Sequence, residues 1–204
     1  MDFLSNLVGK DKTREFLDAC KLGQIENVGK FLKSGKIDIN SQDSYGGNTG
    51  LIFATNMGHK DIVKLLIESD ANPNIQDESG DTALISAVKT ARGDIVELLI
   101  NGGADLNIQD KNGNTALIYA ADMGHKDVVK LLIGGGANLD IQDQNGETAL
   151  MFSAQTGYED IVELLIKAGA DLHIQNENGN TALKIAEEMG FDGIVELLTK
   201  KNKE

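Results

Sequence analysis

The chain has 204 residues, a formal net charge of −13 and a pI near 4.6. That balance speaks against general affinity for nucleic acid, which needs clustered Lys and Arg to displace counterions, and against adsorption to anionic lipid. Apolar residues make up 41%, enough for an ordered core, but aromatics are only 4% and Trp is absent, so a core of Leu, Ile, Val and Ala between small helices is expected.

The first residues, MDFLSNLVGK, include the acid Asp2. They lack the basic start and apolar run of a secretory signal. No segment approaches the ~20 apolar residues of a membrane span. Cys20 is the only cysteine, which leaves no intramolecular disulfide and no thiolate zinc site. A reducing, cytoplasmic location is the simplest inference, with delivery into another cell left open. Arg14–Leu22 and Ile25–Lys33 read as two helices around Gly23. Phe3, Leu4, Leu7 and Val8 are expected to cover this end of the molecule.

From Asp43 onward a unit recurs. Asp43, Asp77, Asp110, Asp143 and Asn176 each open a near-copy of one pattern, with a period of 33 residues in the later copies. Self-similarity at such a period is the signature of a stacked repeat protein. In residues 110–142, Asp110-Lys111-Asn112-Gly113 signals a turn. Thr115 precedes Ala116, Leu117, Ala120 and Ala121, apolar at helical spacing. Met123-Gly124-His125 breaks that helix, and Asp127 to Ile133 give a second, with Val128, Val129, Leu131, Leu132 and Ile133 apolar. Gly134-Gly135-Gly136 ends it. The unit is turn, helix, short turn, helix, loop.

These residues resemble the ankyrin repeat, whose pattern is matched by Asn114-Thr115-Ala116-Leu117, Gly124-His125 and Gly136-Ala137-Asn138. The resemblance runs over residues 13–200, with a flavour of bacterial ankyrin proteins. It implies an all-α solenoid of stacked helix-turn-helix units with short β-hairpin-like loops. A single domain, 1–204, is expected, with units at 10–42 (N-terminal cap), 43–76, 77–109, 110–142, 143–175 and 176–204 (C-terminal cap). Capped ends predict a monomer. Ala83, Ala116, Ala149, Ala182 and Gly50 stand where the family has Pro, so each preceding Thr must cap its helix. Asp70 and Ala91 stand where Gly is usual.

Candidate chemistry is sparse. Gly29 to Ile37 fails as a phosphate loop in spacing and in its place at a helix end. Asp143-Gln144-Asn145-Gly146 fails as a calcium loop, because Ile141 and Phe152 occupy ligand positions. His59 and His125 follow the inter-helix Gly and read as framework residues bonding backbone. His173 reads as solvent-exposed. Carboxylates recur in phase with the repeat, which marks surface features rather than one acid–base pair. No catalytic residue, metal ligand or cofactor is expected. Lys64, Glu97, Lys130 and Glu163 alternate in sign at one position, predicting a ladder of ion pairs between second helices.

The resemblance implies a partner protein met on a concave face of hairpin tips and first helices. Phe53, Tyr119 and Phe152 share one position there; Met57 and Met123 lie four residues after the first two, on the same helical face. They predict an apolar ridge flanked by Lys89, Asp122, Gln155 and Glu188. The ring positions also fit packing between first helices. Tyr45, Glu78, Asp81, Lys111, Asn114, Gln144 and Glu147 form the tip set, largely acid and amide, which favours a partner with a basic rim. The expected function is a non-enzymatic protein-binding module. A structural or engineered scaffold is the alternative, and an enzyme a more remote one.

Overall fold

The computed structural model describes the backbone of residues 2–201 and the side chains of residues 12–200. Among them lie twelve helices and no strand; one isolated antiparallel bridge joins Gln42 and Thr49. The chain divides into two compact units, residues 1–105 and 106–204. The first holds α1 (Asp2–Lys21), α2 (Ile25–Ser34), α3 (Gly50–Met57), α4 (Lys60–Glu68), α5 (Ala83–Lys89) and α6 (Gly93–Asn101). The second holds α7 (Ala116–Asp122), α8 (Lys126–Gly134), α9 (Ala149–Thr156), α10 (Glu159–Ala168), α11 (Ala182–Met189) and α12 (Asp192–Lys201). Each unit thus comprises three helix pairs. First helices pack on first helices, α1 on α3 on α5 and α7 on α9 on α11; second helices do likewise.

The first helix of the chain starts well before Arg14, at Asp2. The covering role expected of Phe3, Leu4, Leu7 and Val8 lies outside the described side chains.

Five first helices begin at threonine, as the missing prolines require. Thr49, Thr82, Thr115, Thr148 and Thr181 are extended, and each hydroxyl accepts the amide three residues on, at 3.2–3.4 Å. Each such cap contributes about 1 kcal/mol. The next residue is Ala in four repeats and Gly50 in the other, and the neighbour explains the exception. A Cβ on Gly50 would stand 3.0 Å from Cys20 Sγ and 3.1 Å from Phe16 Cε1. Phe16 is fully buried and meets the Phe31 ring edge-on at 6.1 Å. The large residues of the first repeat occupy room that later repeats give to a methyl group. Cys20 itself is buried, which pushes its thiol up to about 12.

In each unit the core is a layer of first-helix Leu, Ile and Ala against the Ile, Val and Leu of second helices. Leu51, Leu84, Leu117 and Leu150 are at most 2% exposed, as are Val63, Val96, Val129 and Val162. Burying each such side chain stabilises by roughly 1.5–3 kcal/mol. Leu183 is only half-buried in the last repeat, where Lys184, Glu187 and Glu188 are exposed. The face of α11 is thus more polar than those of its predecessors.

The predicted ladder of ion pairs is displaced by one turn. Lys64 pairs with Glu68, Lys130 with Asp127 and Glu163 with Lys167, all within their own helices. Pairing between repeats is made earlier, by Lys60 with Asp94 at 3.2 Å and Lys126 with Asp160 at 3.0 Å. Each lysine opens a second helix, where its charge opposes the helix dipole, and the aspartate beginning the next helix offsets it. The in-helix spacing meanwhile offers the later residues a nearer partner. The groups paired between repeats are about half exposed, so each of those two pairs contributes at most ~1 kcal/mol.

Asp70 and Ala91 adopt left-handed backbone, φ 63° and 56°, and are the only described non-glycine residues to do so. This conformation costs an ordinary side chain about 1–2 kcal/mol, less for Asp, whose short polar chain tolerates it. Glycine would remove the strain while adding about 0.5–1 kcal/mol of unfolded-state entropy cost. Ala91→Gly is therefore expected to raise stability by about 0.5–1 kcal/mol in urea unfolding, and Asp70→Gly by less. A loss of stability in Ala91→Gly would contradict the strain argument.

Candidate protein-interaction surface

The hairpin tips are held by their opening acid or amide. Asp77 Oδ1 accepts the amides of Ser79 and Asp81, Asp110 Oδ1 those of Asn112 and Asn114, and Asp143 Oδ1 those of Asn145 and Glu147, at 2.7–2.9 Å. Asn176 repeats the arrangement at 3.0 Å. Such turns form because a short side-chain acceptor reaches its own chain two residues on. Tips are then joined to tips. The Glu78 amide donates to the Gly46 carbonyl, that of Gln144 to Asn112, and that of Glu177 to Asn145.

Two amide ladders reinforce these joints, and neither was anticipated from the sequence. Gln142 Nε2 donates to the Gly146 carbonyl of the next tip and to the Gln175 carbonyl at 3.0 Å; Gln109 does the same with Gly113 and Gln142. Behind them, Asn40, Asn107 and Asp140 accept the amides of Asn72, Asn138 and Asp171, one repeat on. The signal was present as an in-phase Gln before each tip acid.

The inter-helix turns show a second unanticipated contact. In three repeats the residue after the turn glycine covers the glycine of the preceding repeat. His59 lies over Gly23 and its Nε2 meets the Lys21 carbonyl at 3.1 Å, the framework role expected of it. Tyr158 lies over Gly124, where a Cβ would stand 2.6 Å from the ring, and Phe191 lies over Gly157. His125 precedes α8 and is half-buried, and His173 is exposed.

On α3, Phe53 is half-buried and Met57, one turn on, is 47% exposed. The Lys21 ammonium sits 5.4 Å from the Phe53 ring centre, a cation–π contact. A cleft of about 800 Å³ opens beside them, lined by Arg14, Leu17, Lys21, Tyr45 and Phe53 among others. Tyr45 projects from its tip at 93% exposure. In the next repeat Ser86 takes the ring position and is buried. Lys89, half-buried, instead reaches Asp81 at 2.7 and 2.8 Å. Glu78 is exposed.

In residues 106–204 the ridge positions are richer in rings. Tyr119 is half-buried on α7 and its hydroxyl donates to Asp110 Oδ2 at 2.6 Å. Met123 follows at 40% exposure, with Asp122 half-buried beside it. Phe152 is half-buried on α9, Gln155 is exposed, and Ile185 on α11 is buried. Tyr119 and Phe152 therefore lean on neighbours and still show a face to solvent. Among the tip residues, Lys111 and Gln144 are exposed, and Gln144 Nε2 donates to the Lys111 carbonyl. Asn114 is half-buried. Glu147 is half-buried with Asn176 Nδ2 at 3.4 Å.

Desolvation raises the carboxyl pKa of Glu147; the Asn176 bond opposes the rise, and the nearby charges of Asp143 and Asp122 add to it. A raised folded-state pKa means that the folded protein holds this proton more firmly than the unfolded chain. The associated stability is present in acid and lost as pH rises through the folded value. Glu147→Gln is therefore expected to be the more stable protein at neutral pH, with the difference fading in acid below the carboxylate range. Thermal unfolding across pH reads this; a variant less stable at neutral pH would contradict it.

Among the described residues no helix is long and apolar enough to cross a membrane. The family model for ankyrin repeats (3 copies) matches overlapping stretches at 16–110, 70–143, 90–176 and 117–204. The chain belongs to the ankyrin-repeat family. It is similar to an ankyrin repeat domain from Acinetobacter baumannii, with 32% identity over 92% of this chain and 97% of that one, at a TM-score of 0.86. It is also similar to EF0377, an ankyrin repeat protein, with 32% identity over 91% and 96% of the two chains and a TM-score of 0.84. A stretch of 71 residues, 33% of this chain, is 39% identical to acyl-CoA-binding domain-containing protein 6 of Danio rerio. That match spans 23% of the curated relative. Ankyrin repeats are generally protein-interaction modules, and their fold is typically non-enzymatic.

Proposed function

We propose that this chain is a non-enzymatic protein-binding module whose six repeats act as one domain. It takes its partner on the first-helix ridge and the hairpin tips, and works as a monomer in the cytoplasm without cofactor. One observation carries this reading. Methionine recurs on first helices one turn after a half-buried ring and stands 40–47% exposed at Met57 and Met123, while the second helices bury Ile, Val and Leu. Apolar, adaptable side chains of this kind are favoured at interface centres. A preformed turn-and-helix surface also loses little ordering entropy on binding.

Lys89, Asp122 and Gln155 supply polarity beside the ridge, and Tyr45, Glu78, Asp81, Lys111, Asn114, Gln144 and Glu147 extend it toward the tips. Affinity capture from the source cell, comparing wild type with Met123→Asp/Phe152→Asp after both show equal helical signal, tests the placement. A protein retained by wild type and lost from the variant is expected. Equal retention by the two would move the site off the ridge.

A further inference from the structure

The ridge in residues 106–204 differs in charge from its counterpart in residues 1–105, and the difference points to the chemistry of a partner. In one first helix the position preceding the capping threonine meets the position eight residues later. In the third repeat these are Asp81 and Lys89, which close a salt bridge at 2.7 Å. In the fifth they are Glu147 and Gln155. The acid is kept, the cation is gone, and Gln155 stands exposed.

The surroundings of Glu147 do not replace the cation. Asp143 and Asp122 act on it as like charges, and its hydrogen bond is to the neutral Asn176. The chain has no arginine after Arg92. Lys111 lies at an exposed tip with its carbonyl engaged by Gln144, and Lys184 is paired with Glu188 at 3.4 Å. Lys126, Lys130 and Lys167 lie on second helices, paired with Asp160, Asp127 and Glu163. Beside this uncompensated acid rim stand the partly exposed Tyr119, Met123 and Phe152. An aromatic face attracts a cation as a carboxylate does.

We propose that the ridge of residues 106–204 receives a peptide segment alternating apolar and basic side chains. One of its Lys or Arg heads takes the place beside Glu147 that Lys89 fills beside Asp81. This rests on the reading of the first-helix ridge as the binding surface, and adds the sign of the occupant. The apolar side chains cover Met123 and Phe152, while Asp122 and Glu147 select the charge. Complementary charge of this kind sets specificity and register more than raw affinity.

The test uses the full chain and a fluorescein-labelled, capped octapeptide of alternating Leu and Arg, beside versions with Gln or Glu for every Arg, at near-physiological salt. Fluorescence anisotropy is expected to show binding of the Arg peptide, weaker binding of the Gln peptide and none of the Glu peptide. Gln155→Lys rebuilds the internal pair at an exposed position and is expected to weaken the Arg peptide by roughly tenfold. Gln155→Ala, which removes the same side chain without supplying a cation, is expected to weaken it far less than Gln155→Lys does, and equal weakening by the two would overturn the proposal.

Equal binding of the Arg and Gln peptides, no binding of the Arg peptide, or indifference to Gln155→Lys would overturn the proposal. Loss of both the Arg and Gln peptides from Met123→Asp/Phe152→Asp alongside their equal binding to wild type would refute the charge claim and keep the ridge. Arg-peptide binding that ignores Met123→Asp/Phe152→Asp would refute both.

Discussion

The helices after the second are seven to ten residues long, and none would persist alone in water, where a length of about 12–15 residues is already marginal. Every repeat therefore depends on burying its apolar stripe against the repeat beside it. This one constraint accounts for the small first-helix residues, because Ala120, Ala121 and Ala154 are fully buried where helices approach closely. Gly50 shows the same constraint from the other side. The residue that fits there is chosen by Phe16 and Cys20 of the preceding repeat rather than by the local helix.

Polar contacts then set the register that apolar packing leaves loose. The threonine caps fix where each first helix begins, and the tip acids fold each hairpin. The glutamine and asparagine ladders tie successive loops together through backbone groups that would otherwise need water. The outcome is a division of labour within one repeat. The loop and second helix are committed to neighbours, while the tip and the outer face of the first helix keep side chains to spare.

Much of this was legible in the sequence because phase along a repeat chain states which residues are equivalent. Thr49, Thr82, Thr115, Thr148 and Thr181 read as caps, and Asp70 and Ala91 read as departures where glycine is usual; both carry positive φ. What phase does not state is the offset between adjacent helices, so the ion pairs were expected at Lys64 and Glu97 and occur at Lys60 and Asp94. Nor does it separate a solvated polar residue from a bonded one, which left the Gln109 and Gln142 ladder unread. The ring position was ambiguous for a physical reason. Tyr119 and Phe152 are half-buried, so packing and exposure are both true of them. The start of α1 was missed because the first repeat lacks the threonine that marks the others.

The surface left over by stacking is where a partner is expected, and its character varies while the frame stays constant: a lysine-bearing bridge at Asp81 and Lys89, an acid without a cation at Glu147. Such variation is tolerated only if the frame's stability comes from between the repeats and not from within each one. Circular dichroism of the isolated peptide 143–175, set against the full chain in the same buffer, tests that directly. The peptide holds two helices, a threonine cap and a complete tip, yet it is predicted to show an unfolded spectrum with no cooperative melt. A helical peptide with a cooperative melt of its own would contradict the account, because the stacking contacts would then no longer be what holds the fold.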